Sequence, residues 1–207
     1  MRLNGNLFPP LFNEVRKVQE TMNRYCLAGD AIPVPKQNLK VAIQETYGVK
    51  IKIRTVPLDS SLFRGLIEIY DDHSMIYIDG LLNSAWTRYV HAKEVSHHLL
   101  SGEEFYTTNP IATIDYMVLD ASDIDGLAPG PSKDVEAEVL TKFAAIEFLF
   151  PSEMRDQCKK EIVDPNHSAT TYSIAEHFDI PEHIVQFALS DPYITHAKSV
   201  WDCVHGR

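Results

Sequence analysis

Cysteine is scarce in this sequence, and long apolar runs are missing from it. The chain of 207 residues contains three cysteines, Cys26, Cys158 and Cys203, which are too few and too scattered for a disulfide framework or a cysteine-based zinc site. We therefore expect a reduced, cytoplasmic setting. No apolar run reaches the roughly 18 residues that a membrane span needs, and the N-terminal segment lacks the apolar stretch of a signal peptide.

Basic residues are in the minority. The chain has 19 Lys and Arg against 29 Asp and Glu, a formal net charge of −10, which disfavours non-specific binding to nucleic acid or to anionic membranes. Residues 101–138 hold nine of the acids and one base, and we call this stretch the acidic window. It is interpreted either as a solvated loop or as a negatively charged rim for a basic partner surface.

The content of hydrophobic residues, 44%, is typical of a folded globular protein, and their spacing predicts an α+β fold. Alternation of apolar and polar residues, with turn chemistry at 71–74, predicts a small antiparallel three-stranded sheet at 49–56, 66–70 and 75–78. Apolar positions at helical spacing predict the helices that pack on this sheet. These helices are expected at 11–28, 38–47, 84–100, 110–121, 134–150, 153–162 and, as a helix-turn-helix-like pair, 171–189.

Two segments contain the residues that indicate chemistry. The first runs from Arg88 to Leu100 and includes Lys93-Glu94-Val95-Ser96-His97. The second is the helix predicted at 134–150, which carries two carboxylates near its beginning, Glu136 and Glu138.

Together these segments resemble the ImmA/IrrE family of metallo-endopeptidases. The matching residues of the strand and the first helix are Ile76-Tyr-Ile-Asp79, Arg88-Tyr89, Ala92, Glu94, His97 and Leu99-Leu100. Those of the second helix are Glu136 or Glu138, Phe143-Ala-Ala145 and Phe148-Leu-Phe-Pro151. The resemblance implies a zincin-like domain over residues 1–151, with motif helix 84–100 and a second Glu-bearing helix 134–150, followed by a helical extension over 152–207.

The family motif supplies a zinc site, and the resemblance implies specific roles here. In HExxH, two histidines one helical turn apart hold Zn²⁺, the Glu between them activates the bound water, and a carboxylate from a second helix is the third ligand. The resemblance makes Glu94 the general base, and His97 with Glu138 or Glu136 the metal ligands. The first histidine is replaced by Lys93, and a protonated lysine repels Zn²⁺.

Two arrangements could follow from this replacement. A shifted ligand set could use His91, Glu94 and His98, which share another face of the helix. Alternatively, the Lys93 ammonium could take the place of the metal and pair with Glu136 or Glu138, which would join the two helices without zinc. Arg88 could lie near the site, although a solvated side chain is the simpler expectation.

The predicted helix pair at 171–189 resembles the tail that follows the motif helices in this family. No Lys or Arg lies between Lys160 and Lys198, although DNA recognition requires cations that neutralise phosphates. We therefore expect a packing or protein-contact module and no direct binding of nucleic acid.

The resemblance implies a regulatory function. Members of the family cleave or otherwise relieve helix-turn-helix repressors that control mobile elements and stress genes. Lys93 favours a degenerate member, a pseudoenzyme that has lost zinc and works by binding a DNA-binding repressor. The alternatives are an active metal-dependent endopeptidase that cleaves such a repressor, and a non-enzymatic interaction protein of a prophage or mobile element.

Overall fold

The computed structural model describes residues 8–25, 34–58, 64–100, 133–164, 168–191, 193–194 and 197. In this part of the chain, seven α-helices accompany a three-stranded sheet, as the α+β prediction requires. The helices are α1 (Phe8–Arg24), α2 (Lys36–Tyr47), α3 (Ser84–Ser96), α4 (Lys133–Leu149), α5 (Ser152–Val163), α6 (Thr171–Phe178) and α7 (Glu182–Ala188). The strands are β1 (Ile51–Val56), β2 (Gly65–Ile69) and β3 (Ser74–Asp79).

The sheet is mixed rather than antiparallel throughout. Its strand order is β1-β3-β2. The expected hairpin joins β2 and β3, but β1 lies parallel to β3, so the prediction of three antiparallel strands was wrong for β1. The strand order follows burial. Five of the six residues of β3 are buried, whereas β1 exposes Lys52 and Arg54 to solvent. The most buried strand takes the centre of the sheet, and the more exposed strands take the edges.

Helix α3 packs against β2 and β3, and α4 packs against α3. Helix α1 contacts both α2 and α4 through a stripe at helical spacing that includes Phe8, Phe12 and Val15, each fully buried. The motif helix is shorter than predicted, because the α-helix ends at Ser96 and a 3₁₀ turn follows over His97–Leu99. The helix predicted at 134–150 is confirmed as α4.

The C-terminal part is helical, as expected. Arg155 of α5 donates to the Glu147 carboxylate and to the Phe150 carbonyl, and the Tyr193 hydroxyl donates to Glu147 Oε1 over 3.2 Å. These contacts cross the predicted domain boundary at residue 151, and the division at that boundary stays a prediction.

Helix α6 begins with a capping box between Thr170 and Ser173. It ends at Asp179, which adopts the left-handed conformation. The turn between α6 and α7 therefore forms where it was predicted.

Residues 101–132 lie outside the described residues. They include most of the acidic window and the short helix predicted at 110–121. Among the helices that the structure describes, none has the length and apolar character needed to cross a bilayer.

Candidate functional site

The ammonium of Lys93 lies between two carboxylates. Lys93 Nζ is 2.5 Å from Glu138 Oε2 on α4 and 3.1 Å from Glu94 Oε1 on its own helix. Lys93 therefore joins α3 to α4 through an ion pair with Glu138. The sequence analysis left open an ion pair of Lys93 with Glu136 or Glu138 in place of a metal. The structure has this ion pair, and its carboxylate is that of Glu138.

His97 completes the cluster from the 3₁₀ turn. Its Nε2 lies 3.5 Å from Glu138 Oε1 and 3.8 Å from Glu94 Oε2. The Glu94 and His97 side chains are 5% and 7% exposed, whereas that of Glu138 is 31% exposed. The four side chains Lys93, Glu94, His97 and Glu138 form what we call the Lys93 cluster, which reaches solvent through Glu138.

The opposite charges in the Lys93 cluster favour the ionised forms of Lys93 and Glu138. Burial alone would lower the pKa of Lys93, but the carboxylates of Glu94 and Glu138 outweigh it and raise the pKa above its usual range. Burial alone would raise the pKa of Glu138, but Lys93 and His97 hold it well below its ordinary value. Lys93 is therefore a cation and Glu138 an anion at neutral pH.

These residues do not fit a zinc site of the HExxH type. A protonated amine has no lone pair for a metal, and the ammonium of Lys93 occupies the space between the carboxylates that would face the ion. Within the described residues, no group of three or more His, Cys, Asp and Glu is arranged to hold a metal ion. Glu94 could act as the general base of this motif only on a water that a bound metal activates.

A glycine brings the sheet against this cluster. A Cβ atom at Gly65 of β2 would lie 2.4 Å from Val90 Cγ1 and 3.0 Å from Glu94 Cγ and Oε1. The first distance is too short for a Cβ atom and the other two are tight, so the lack of a side chain at Gly65 allows β2 to approach α3 closely. Sequence reasoning missed Gly65, because a single glycine at the beginning of a strand carries no signal of what lies opposite.

The remaining predicted residues lie elsewhere. Arg88 is buried and its Nη2 donates to the Val34 carbonyl, so the expectation of a solvated side chain was wrong. His91 is buried close to Lys36 and Lys40 of α2, while Glu94 belongs to the Lys93 cluster. The shifted ligand set of His91, Glu94 and His98 stays a prediction.

His98 and Glu136 are the other two predicted site residues. Burial and the charge of His97 lower the pKa of half-buried His98 to about 4. Glu136 is buried in α4, two positions before Glu138.

The helix pair α6–α7 packs against the beginning of α3. Ser84 Oγ donates to Asp179 Oδ2 over 2.8 Å, and the Trp86 ring lies 4.7 Å from the His183 ring. The guanidinium of Arg64 lies 3.3 Å from the centre of the Trp86 ring. The pair thus has an intramolecular packing role beside α3.

Comparison with known proteins leaves the family undetermined. No family model matches the chain, and no curated protein sequence matches it. Among solved structures, a chain described as a Mycobacterium tuberculosis transcriptional regulator is similar with a TM-score of 0.44 and 11% sequence identity. The match covers 86% of this chain and 50% of that one, so the chain spans about half the length of this neighbour.

Proposed function

We propose that this chain is a regulator that resembles the ImmA/IrrE metallo-endopeptidases in fold but acts by binding, without hydrolysis. Its partner is a helix-turn-helix repressor. The observation that supports the proposal is the position of Lys93 Nζ, 2.5 Å from Glu138 and 3.1 Å from Glu94. A fixed positive charge at this point disfavours a divalent cation and supplies part of the electrostatic stabilisation that the cation would give the carboxylates.

Hydrolysis of a peptide bond in this fold needs a metal that polarises the carbonyl and activates water. The Lys93 cluster offers an ammonium that is already hydrogen-bonded on two sides. Its raised pKa also makes it a poor nucleophile or general base, since both roles need the neutral amine. The cluster is therefore suited to holding α3 against α4, which leaves binding as the activity.

The charge of the chain suits a basic partner. The acidic window contributes −8 of the net charge of −10, since it has one base against nine acids. The DNA-binding face of a repressor carries cations that neutralise phosphates. Complementary charges of this kind speed association and orient the two proteins.

The test uses the purified full-length chain and a helix-turn-helix repressor encoded beside its gene. We expect the chain to bind the repressor and release it from its operator, with the repressor intact on a denaturing gel. Reversal of Asp120, Asp123 and Asp125 to Lys should weaken binding. Reversal of Glu153, Asp156 and Glu161 on α5 provides a control with the same change in charge.

The alternatives predict different results. Metal-dependent cleavage of the repressor, lost in Glu94→Gln, would support the active endopeptidase instead. Absence of any binding would support an interaction protein unrelated to repressors. Equal effects of the two charge reversals would show that the acidic window is only a solvated segment.

A further inference from the structure

A second group of polar side chains lies where α3 packs against α2, away from the Lys93 cluster. Arg88 and His91 are three positions apart on α3 and therefore share one side of the helix. They are 5% and 4% exposed. Because Arg88 Nη2 donates to the carbonyl of Val34, which precedes the N-cap residue Pro35, the guanidinium lies at the N-terminal end of α2.

Within the described part of the chain, each of these side chains keeps a polar atom that no protein group satisfies. Arg88 Nε and His91 Nδ1 are buried without a hydrogen-bond partner. A buried polar group in this state costs about 1–3 kcal/mol. The two atoms, on one side of α3, are therefore open to hydrogen bonds from a ligand or from water.

The charge around these atoms is positive. Burial, and to a smaller extent the charges of Lys36, Lys40 and Arg88, lower the pKa of His91 to about 4. The first turn of α2 contains no acidic residue, and its N-cap makes no side-chain hydrogen bond. The N–H groups and the dipole at this end of a 12-residue helix add to the positive potential.

The carboxylate of Asp179, the C-cap residue of α6, counteracts this positive charge. Asp179 raises the pKa of Arg88, although burial has the larger effect and lowers it. Asp179 Oδ2 already accepts a hydrogen bond from Ser84 Oγ. Among the described residues, Asp179 is the one acid that acts on the charge of Arg88 or His91, so the described part of this region keeps an excess of positive charge.

We propose that Arg88, His91, Lys36 and Lys40, together with the N-terminal N–H groups of α2, bind a phosphate-type oxyanion, such as the phosphoryl group of a small ligand. A tetrahedral dianion offers several acceptor oxygens, which suit the guanidinium and the imidazole of α3 and the N–H groups at the beginning of α2. This proposal does not depend on the proposed function, because the site uses no residue of the Lys93 cluster.

Isothermal titration calorimetry of the full chain with inorganic phosphate tests the proposal, with chloride adjusted to keep the ionic strength constant. We expect saturable binding, and an affinity about tenfold weaker in the double variant Lys36→Gln/Lys40→Gln, which removes two charge-assisted contacts. The matched control Lys50→Gln/Lys52→Gln, at exposed positions beside β1, should change the affinity by no more than about twofold, since screening weakens its effect. Sulfate should bind at the same site.

A second measurement is made on the wild-type chain. In the wild-type chain at constant pH, the ¹⁵N signal of the His91 ring should shift saturably as phosphate is added. His91→Gln serves only to assign the signal. Absence of saturable heat and shift, equal affinities of the two lysine double variants, or acetate binding as tightly as phosphate would each overturn the proposal.

Discussion

Lys93 Nζ of α3 lies 2.5 Å from Glu138 Oε2 of α4, so that one ion pair joins the two helices that carry the candidate site. Lys93→Met should lower the free energy of unfolding by about 2 kcal/mol, because it leaves the Glu138 and Glu94 carboxylates without their cation. Chemical denaturation measures the change. The double variant Lys93→Met/Glu138→Gln should be less destabilised than the sum of its single changes, and strict additivity would contradict the coupling.

The close approach of β2 to α3 predicts a steric effect at Gly65. Gly65→Ala should destabilise the chain by about 1–3 kcal/mol, since its methyl group would collide with Val90 Cγ1 and press on Glu94. Urea unfolding measures the loss. Adding Val90→Ala to the variant removes the nearest obstacle and should reduce the destabilisation caused by Gly65→Ala. If the effect of Gly65→Ala were unchanged in that background, the collision would not be its cause.

The buried pair of Glu147 and Arg155 predicts a large loss of stability. Arg155→Met should cost about 3–5 kcal/mol, because it leaves a carboxylate that is 0% exposed without its cation. Thermal unfolding followed by circular dichroism provides the measurement. The matched change Lys159→Met removes a cation from an ion pair with the exposed Asp191 and should cost less than about 1 kcal/mol. Equal losses in the two variants would contradict the importance of burial.

Two histidines predict how stability depends on pH. Burial is the main cause that lowers the pKa values of His91 and His98 to about 4, below the value of about 6.5 in the unfolded chain. The unfolded state therefore binds more protons between these values, and the free energy of unfolding should fall as the pH drops from about 6.5 to 4.

For His91 the loss should reach about 3 kcal/mol. Urea unfolding in chloride buffers, without phosphate, measures the slope, and His91→Gln should flatten it. A stability that stays constant over this range would show that neither histidine is held neutral by the fold.

The sequence predicted some of these features because their causes are local. Helical spacing of apolar residues is visible along the chain, so α1, α4 and α6 were identified to within a few residues. The alternation in β1 identified a strand, but its pairing with β3 depends on which strand takes the buried centre of the sheet. This pairing joins residues more than 20 positions apart, such as Ile51 and Ser74, so no local pattern contains it.

In the candidate site, too, the features with local causes were predicted and those that depend on distant residues were not. The pairing of Lys93 with a carboxylate of α4 was among the predicted arrangements, because charge and motif spacing limit the options. The burial of Arg88 was not predicted, since its partner Val34 lies 54 positions away in the sequence. Gly65 was also missed. It matters because it has no side chain to collide with Val90 and Glu94, and the sequence does not show which residues lie opposite it.

The central claim is that the Lys93 ammonium occupies the position that a metal would take. Zinc content of the purified chain, measured by mass spectrometry after incubation with zinc and removal of the excess, tests it most directly. We expect well below about 0.1 zinc per wild-type chain and about one per chain in Lys93→His, which restores the three-ligand pattern. Lys142→His, also on the helices of the site, should gain none. Stoichiometric zinc in the wild-type chain that disappears in His97→Ala would contradict the claim.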